Sequence, residues 1–258
     1  MDWKPISGCR FGHSDLTRWC ELDIPDFGND EGAEIGDMDG EPTGDCRGGD
    51  DYSGGTILTS RDGVSWTSQI SGTTYQLNSV TWTGTKLVAV GELGTILTSS
   101  DGVTWISQIS GTTDLLYAVR WVGSQLVVMG ENGTILTSPD GVTWTSQHSG
   151  SKNALYSITW TGIQLVAVGV FESSSTDAAL FASSDGIVWT KSRISGSLSS
   201  VTWTGSQLVA VGDKILASPD GKTWTIRIPE TKHYMNSVTW TGTKLVAVGH
   251  FGDILTSP

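Results

Sequence analysis

The chain has 258 residues, of which 37% are hydrophobic and only 16% charged, with a formal net charge of −12. That balance suits a packed domain rather than a disordered chain, and it offers no Lys/Arg stripe of the kind that nucleic-acid backbones require. No apolar run approaches the roughly 18 residues of a membrane-spanning helix, and no charged segment followed by an apolar one marks a signal peptide.

Residues 1–54 carry 14 acidic and 4 basic side chains, so most of the charge sits in this leader and residues 55–258 are close to neutral. A leader of this composition is expected to be flexible and largely unpaired. It holds all three cysteines, Cys9, Cys20 and Cys46, without a CxxC pair. Together with His13 they have the atoms for zinc but no recognised spacing. Asp37-Met-Asp39-Gly40-Glu41 opens like a calcium loop. It lacks the third early ligand and the closing glutamate, so no metal or cofactor is called for.

From Gly55 onward the sequence repeats. Gly94-Thr-Ile-Leu-Thr-Ser-Ser-Asp-Gly-Val-Thr-Trp105 recurs at 133–144 and, more loosely, at 55–66, with further copies ending at Trp189 and Trp224. A second block, Ser79 to Gly91, returns letter for letter as Ser237 to Gly249, with variants around Trp121, Trp160 and Trp203. Trp66, Trp105, Trp144, Trp189 and Trp224 lie 39, 39, 45 and 35 residues apart, so one unit is about 39 residues. The 45-residue unit is lengthened by Phe171–Ala178.

Within a unit the pattern predicts four strands, exemplified by 79–83, 86–90, 95–99 and 104–108. Gly84-Thr85 turns the first hairpin and Ser100-Asp101-Gly102 the second. Val, Ile, Thr and Trp dominate these runs, and no stretch sustains a 3.6-residue apolar period. Leu-Val-Ala-Val is apolar on both faces, which predicts burial between neighbouring sheets. Four short antiparallel strands per 39-residue repeat describe the blade of an all-β β-propeller.

Units 79–109, 118–148, 157–194 and 200–228 are complete. Segment 237–257 supplies three further strands, and 55–69 supplies a third and a fourth. Pairing the C-terminal strands with Thr67–Gln69 would close a ring of about five blades; the alternative is a fragment of a larger ring. Trp82, Trp121, Trp160, Trp203 and Trp240 should occupy equivalent positions.

The turn Ser99-Ser-Asp-Gly-Val-Thr-Trp105 resembles the Asp-box of bacterial repeat propellers, including the photosystem-assembly type and the sialidases. Every copy here is one residue shorter between Asp and Trp than the family pattern. The resemblance implies that Asp62, Asp101, Asp140, Asp185 and Asp220 tie down turn amides while the tryptophans pack between blades. It also favours an extracellular or cell-envelope setting.

Strand parity puts the turns after strands one and three at one end of the propeller. The loops after strand two and the crossovers between blades share the other end. The first set is almost constant among the repeats and the second varies, with Tyr75, Asp114, Asn153 and Tyr234 in the crossovers and Glu92, Glu131 and His250 in the second-strand loops. Such mixtures suit a glycan or a protein partner, since aromatic faces stack while polar edges hydrogen-bond. Drift in exposed loops would give the same pattern.

The competing reading is a glycan-active enzyme. Sialidases use three arginines, a tyrosine nucleophile and a glutamate partner. Residues 55–258 hold only Arg61, Arg120, Arg193 and Arg227, and near-identical blades leave little room for an asymmetric catalytic cluster. A binding or scaffold propeller without catalysis, a lectin or an assembly factor, is the expectation.

Overall fold

The computed structural model describes residues 33–34, 55–171, 174–228 and 231–257, with no side-chain account of 33–34, 171 or 174–176. The N-terminal sheet comprises β1 (Ala33–Glu34), β2 (Thr56–Ser60) and β3 (Trp66–Ile70). The first full blade is β4 (Leu77–Trp82), β5 (Leu87–Gly91), β6 (Ile96–Ser99) and β7 (Ile106–Gln108). The second is β8 (Leu116–Trp121), β9 (Leu126–Gly130), β10 (Thr134–Ser138) and β11 (Thr145–His148). The third is β12 (Leu155–Trp160), β13 (Leu165–Phe171), β14 (Ser174–Ser183) and β15 (Thr190–Ser195). The fourth is β16 (Leu198–Trp203), β17 (Leu208–Gly212), β18 (Ile215–Ser218) and β19 (Thr225–Ile228). The last sheet is β20 (Met235–Trp240), β21 (Leu245–Gly249) and β22 (Ile254–Thr256). Counted by their inner strands, these are five blades, all antiparallel and joined in simple up-and-down order.

Trp82, Trp121, Trp160, Trp203 and Trp240 each end an inner strand and pair with the leucine that opens the next one, Leu87, Leu126, Leu165, Leu208 and Leu245. The inner strands start about two residues before the expected position. A bulge between Leu77 and Ser79, and at each equivalent site, breaks the alternation that would have revealed their first turn of ladder.

The core is a series of inter-blade layers built on the second strands. Val88 and Val90 of β5 pack forward against Leu116, Val119, Leu126 and Val128 of the next blade, while Leu87 and Ala89 pack backward with Ile57 of β2. The same two-sided pattern recurs on β9, β13 and β17. Because side chains alternate along a strand, an apolar Leu-Val-Ala-Val feeds two layers at once. Trp105, Trp144, Trp189 and Trp224 lean on four of these layers from the turns.

Two sequence expectations change. Thr67–Gln69 does not pair with the C-terminal strands: β3 is the hairpin partner of β2, and β22 pairs with β21 alone among the described residues. The local hairpin satisfies β3 before any distant strand can. The insertion Phe171–Ala178 is not a loop but a lengthened hairpin, with Val170 paired to Ala178 and Phe171 to Ser174. Backbone that leaves the sheet there must pair with itself to satisfy its N–H and C=O groups. Apart from these two changes, Ala33 and Glu34 of the leader pair with Thr59 and Leu58, where a second strand lies in the other blades. Cys9, His13, Cys20, Cys46 and 37–41 lie outside the described residues.

Phe181, fully buried in the layer between the second and third blades, is the largest fully buried side chain among the described residues. Phe181→Ala should destabilise the fold by about 3–5 kcal/mol in denaturant titration, since the lost ring leaves a cavity that rigid sheets cannot fill.

Candidate functional site

The hydrogen bonds divide the loops between two ends. At one end, Lys86 Nζ donates to the carbonyl of Asp140, Gln125 Nε2 to that of Asp185 and Gln164 Nε2 to that of Asp220, at 2.9, 2.6 and 2.8 Å. Each bond runs from the start of a second strand to the Asp-Gly turn of the following blade. At the other end, the N–H groups of Glu92, Glu131, Val170, Asp213 and His250 donate to the carbonyls of Gln76, Leu115, Ala154, Ser197 and Tyr234. The crossovers and second-strand loops therefore sit together, and the variable residues share one end.

The constant end is closed chemically by its own side chains. Asp101 Oδ1 accepts from the N–H groups of Val103 and Thr104, both at 2.8 Å, and from the Ser99 hydroxyl at 3.0 Å. Ser99 Oγ in turn accepts from the Gly102 N–H. Asp62, Asp140, Asp185 and Asp220 repeat the arrangement. Trp105, Trp144, Trp189 and Trp224 donate Nε1–H to the glycine carbonyl of the same turn. Backbone N–H bonds favour the ionised carboxylate, foremost those of Ser65 and Val64 for Asp62 and those of Thr104 and Val103 for Asp101. They hold these two groups down to about 2. Asp140, Asp185 and Asp220 are lowered by the same cause, led by Thr143, Val188 and Thr223.

At the variable end the candidates separate into two kinds. The acids stitch loops together. Asp114 accepts from Asn132 Nδ2 at 2.8 Å and from the Thr134 hydroxyl, and its carbonyl takes the N–H of Gly94 from the preceding blade. Burial tends to raise its pKa, but the bonds from Thr134, Asn132 and Thr112 together outweigh this and leave it lowered. Glu131 Oε1 accepts from the Tyr117 hydroxyl at 3.3 Å, and Glu92 Oε2 from the Gln76 N–H at 3.3 Å. Asn153 is partly buried, its N–H held by Ser151 Oγ.

Of the aromatic candidates, Tyr75 is exposed while Tyr234 and His250 are partly buried. Tyr75 is 45% exposed. Tyr234 and His250 face each other with ring centroids 5.6 Å apart. His233 lies 4.8 Å from Phe251, and its Nδ1 is 2.7 Å from Asp253 Oδ2. Aligning the repeats on the first-strand leucine places His233, not Tyr234, in register with Tyr75, Asp114 and Asn153. The His233–Asp253 pair does what Asp114–Thr134 does, with the acid moved across the contact. That alignment would have found His233 from sequence.

Leu93, Asn132 and Phe251 were not expected. Each occupies the left-handed region, at φ 49°, 53° and 59°, at the tip of the second-strand loop. The following glycine cannot be replaced in the first two loops: a Cβ on Gly94 or Gly133 would fall 2.0 or 2.1 Å from the carbonyl of Thr112 or Ser151. Each tip holds a left-handed conformation that side chains rarely adopt, and at two of them a large apolar side chain is left open, Leu93 54% and Phe251 87% exposed. Beside Leu93, Tyr75 and Ile109 line an open groove of about 770 Å³ with Gly72, Thr73 and Thr112.

Among the described residues no group of three or more His, Cys, Asp or Glu could hold a metal ion, and no helix is long and apolar enough to cross a membrane. Among the arginines, Nε and Nη2 of Arg193 bind Asp177 Oδ2 across β14 and β15. Arg120 and Arg227 lie on β8 and β19 of other blades, and Arg61 in the first Asp-Gly turn.

Known structures share this architecture. YCF48 bound to D1 peptide superposes with a TM-score of 0.62 at 20% identity, over 78% of this chain and 71% of that one. The fold is a β-propeller. A chain of the nidogen/laminin complex gives 0.61 at 11% identity, covering 77% of this chain and 83% of that one. The WD40 propeller domain of Doa1 gives 0.52 at 13%, covering 67% and 64%. No protein-family model matches the sequence, and no match was found among curated proteins.

The lowered carboxylates carry a pH signature. A group whose folded pKa is depressed contributes stability that is complete above its unfolded value, 3.8 for Asp62 and Asp101, and is lost as pH falls through the folded value of about 2. The thermal midpoint should therefore fall between about pH 4 and pH 2. Asp101→Asn should lower the midpoint at pH 7 and flatten that acid limb; an unchanged acid limb would contradict the role given to the carboxylate.

Proposed function

We propose that this propeller is a non-catalytic binding module that takes an extended peptide segment of a protein partner across its variable end. The observation that carries the reading is the set of exposed apolar side chains, Leu93 and Phe251, held outward from strained loop tips beside Tyr75, Tyr234 and His250. Strain of this kind costs about 1–3 kcal/mol per residue and persists where the surroundings impose it, often at ligand clamps. The groove along Tyr75, Leu93 and Ile109 has the volume typical of ligand sites, with a lining shared between apolar and polar residues. The likeness to YCF48 bound to D1 peptide supports the same class of ligand, and the serine and aspartate that fix each turn support kinship with Asp-box repeats. A glycan partner would use the same tyrosines for stacking.

Glycoside hydrolysis is the second reading, and one observation favours it: the Tyr117 hydroxyl donates to Glu131, the tyrosine–glutamate pair such chemistry uses. Against it, the guanidinium of Arg193 is engaged by Asp177, Arg227 lies on an outer strand, and Arg61 lies in an Asp-Gly turn at the opposite end. A fluorogenic sialoside assay tests this reading, with Tyr117→Phe as its control.

The binding reading is tested by probing the protein against a random peptide library and a glycan array side by side, then by calorimetry on the best peptide. Tyr75→Ala and Tyr234→Ala should each weaken binding about fivefold, the worth of about 1 kcal/mol per aromatic contact. Leu93→Gly should weaken binding while raising stability by about 1 kcal/mol, because glycine relieves the left-handed strain. Glycan capture without peptide capture would overturn the peptide assignment, and wild-type affinity in all three variants would overturn the site.

A further inference from the structure

The first strands of neighbouring blades are stapled by two side chains that follow the opening leucine or methionine. Between the first and second full blades, Asn78 Nδ2 donates to the Leu116 carbonyl at 3.0 Å, and Ser79 Oγ accepts from the Val119 N–H at 3.2 Å. Between the fourth blade and the last sheet, Ser199 and Ser200 make the same two bonds, to the Met235 carbonyl and from the Val238 N–H. The third blade keeps the second bond, in which Ser157 Oγ accepts from the Val201 N–H, but carries Tyr156 at the first position. The second blade has Tyr117 and Ala118 at the two positions. Ala118 has no hydroxyl, and Tyr117 sends its own to Glu131.

The junction between the second and third blades therefore gives up both staples, although it lies inside the chain with complete blades on either side. In their place it gains an aromatic corner. Tyr117 and Tyr156, both partly buried, meet edge to face with ring centroids 5.3 Å apart and planes 74° apart. The Tyr117 hydroxyl donates to Glu131 Oε1 at 3.3 Å, a single long bond that leaves most of the acceptor capacity of this carboxylate unspent. A departure from a rule that the other blades keep is expected where function overrides packing.

The charge around this corner has one sign. The loops of the variable end in the first two full blades, 91–95, 111–116 and 130–134, hold Glu92, Asp114 and Glu131 and no lysine, arginine or histidine. Lys152, exposed on the crossover that leads to Tyr156, is the first lysine or arginine that the loops of this end supply. Aromatic faces carry the negative part of the ring quadrupole, so two rings beside a carboxylate suit a cation and disfavour an anion.

We propose that Tyr117, Tyr156 and Glu131 form a pocket for one basic side chain of the bound peptide, arginine before lysine. The guanidinium stacks on a tyrosine face while its N–H groups donate to Glu131, a match of plane and fork that an ammonium lacks. The inference rests on the peptide reading above and gives it a sequence preference.

N-acetyl-arginine amide and its neutral isostere N-acetyl-citrulline amide test the pocket without a peptide. Titrated into the chain carrying ring-labelled tyrosine and followed by NMR, the arginine compound should shift the Tyr117 and Tyr156 signals saturably. The citrulline compound should bind about tenfold more weakly, the worth of a cation held between a ring face and a carboxylate. Glu131→Gln, which keeps the shape of the side chain, should bring arginine down to the level of citrulline, and Tyr156→Leu should weaken arginine about fivefold. The comparison of the two compounds on the wild-type chain needs no variant, so it decides even where a variant unfolds. Equal affinity for the two compounds, tyrosine signals that do not move, or discrimination that survives Glu131→Gln overturns the pocket. Peptides captured from the random library with no basic position enriched overturn it too, and leave the peptide reading intact. A library that yields no peptide, while the chain still prefers arginine to citrulline, removes the peptide reading and leaves the pocket standing.

Discussion

The whole structure depends on a strand that is buried on both sides. In a sheet with one solvated face, apolar and polar residues alternate; in β5, β9, β13 and β17 they do not, and every residue from the first leucine to the last glycine is buried. Such a strand cannot be satisfied by its own blade. It needs one neighbour against its first and third residues and another against its second and fourth. Stability is therefore shared between blades, as in other repeat proteins, and the terminal sheets are the places where the sharing stops.

This two-sided packing explains the division of labour between the loop ends. At one end the blades register through Lys or Gln to a turn carbonyl, and that carbonyl is in place only because an aspartate and a serine fix the turn. A change there disturbs two blades at once, which accounts for the near-constancy of the turns among the repeats. At the other end the main-chain bonds between crossover and second-strand loop are made by backbone alone. Side chains there are free to differ, and they do: an aspartate bound to a threonine in the second blade becomes a histidine bound to an aspartate in the last. Asp114, which looked available in sequence, is consumed by this stitching, while apolar tips held in left-handed backbone are presented to solvent.

Most of the architecture was legible because it is written several times. The repeat length, the four strands per unit, the equivalence of the five inner-strand tryptophans and the two-sided burial of Leu-Val-Ala-Val all follow from periodicity and alternation. Strand starts were displaced where the bulge after Leu77 interrupts that alternation. The segment 171–178, a single departure from the repeat, offered no internal comparison, and its polar serines concealed a hairpin. The left-handed tips at Leu93 and Phe251 were hidden for another reason. Neither residue favours that conformation, and at Leu93 it adjoins a glycine held by the close approach of the next crossover, a contact 18 residues further along the chain. Which acids bind loops and which face solvent likewise depends on partners, such as Asn132 and Thr134 for Asp114, that only the folded registers bring together.

Hydrogen exchange at single-residue resolution tests the governing constraint most directly, because every strand of a full blade is hydrogen-bonded yet only some are buried on both faces. If shared inter-blade burial holds the fold, the amides of Val88–Val90, Val127–Met129, Val166–Val168 and Val209–Val211 should exchange slowest and at similar rates in all four full blades. The outer strands β7, β11, β15 and β19 should exchange orders of magnitude faster. A uniform profile across the four strands, or one blade exchanging independently of its neighbours, would contradict the account.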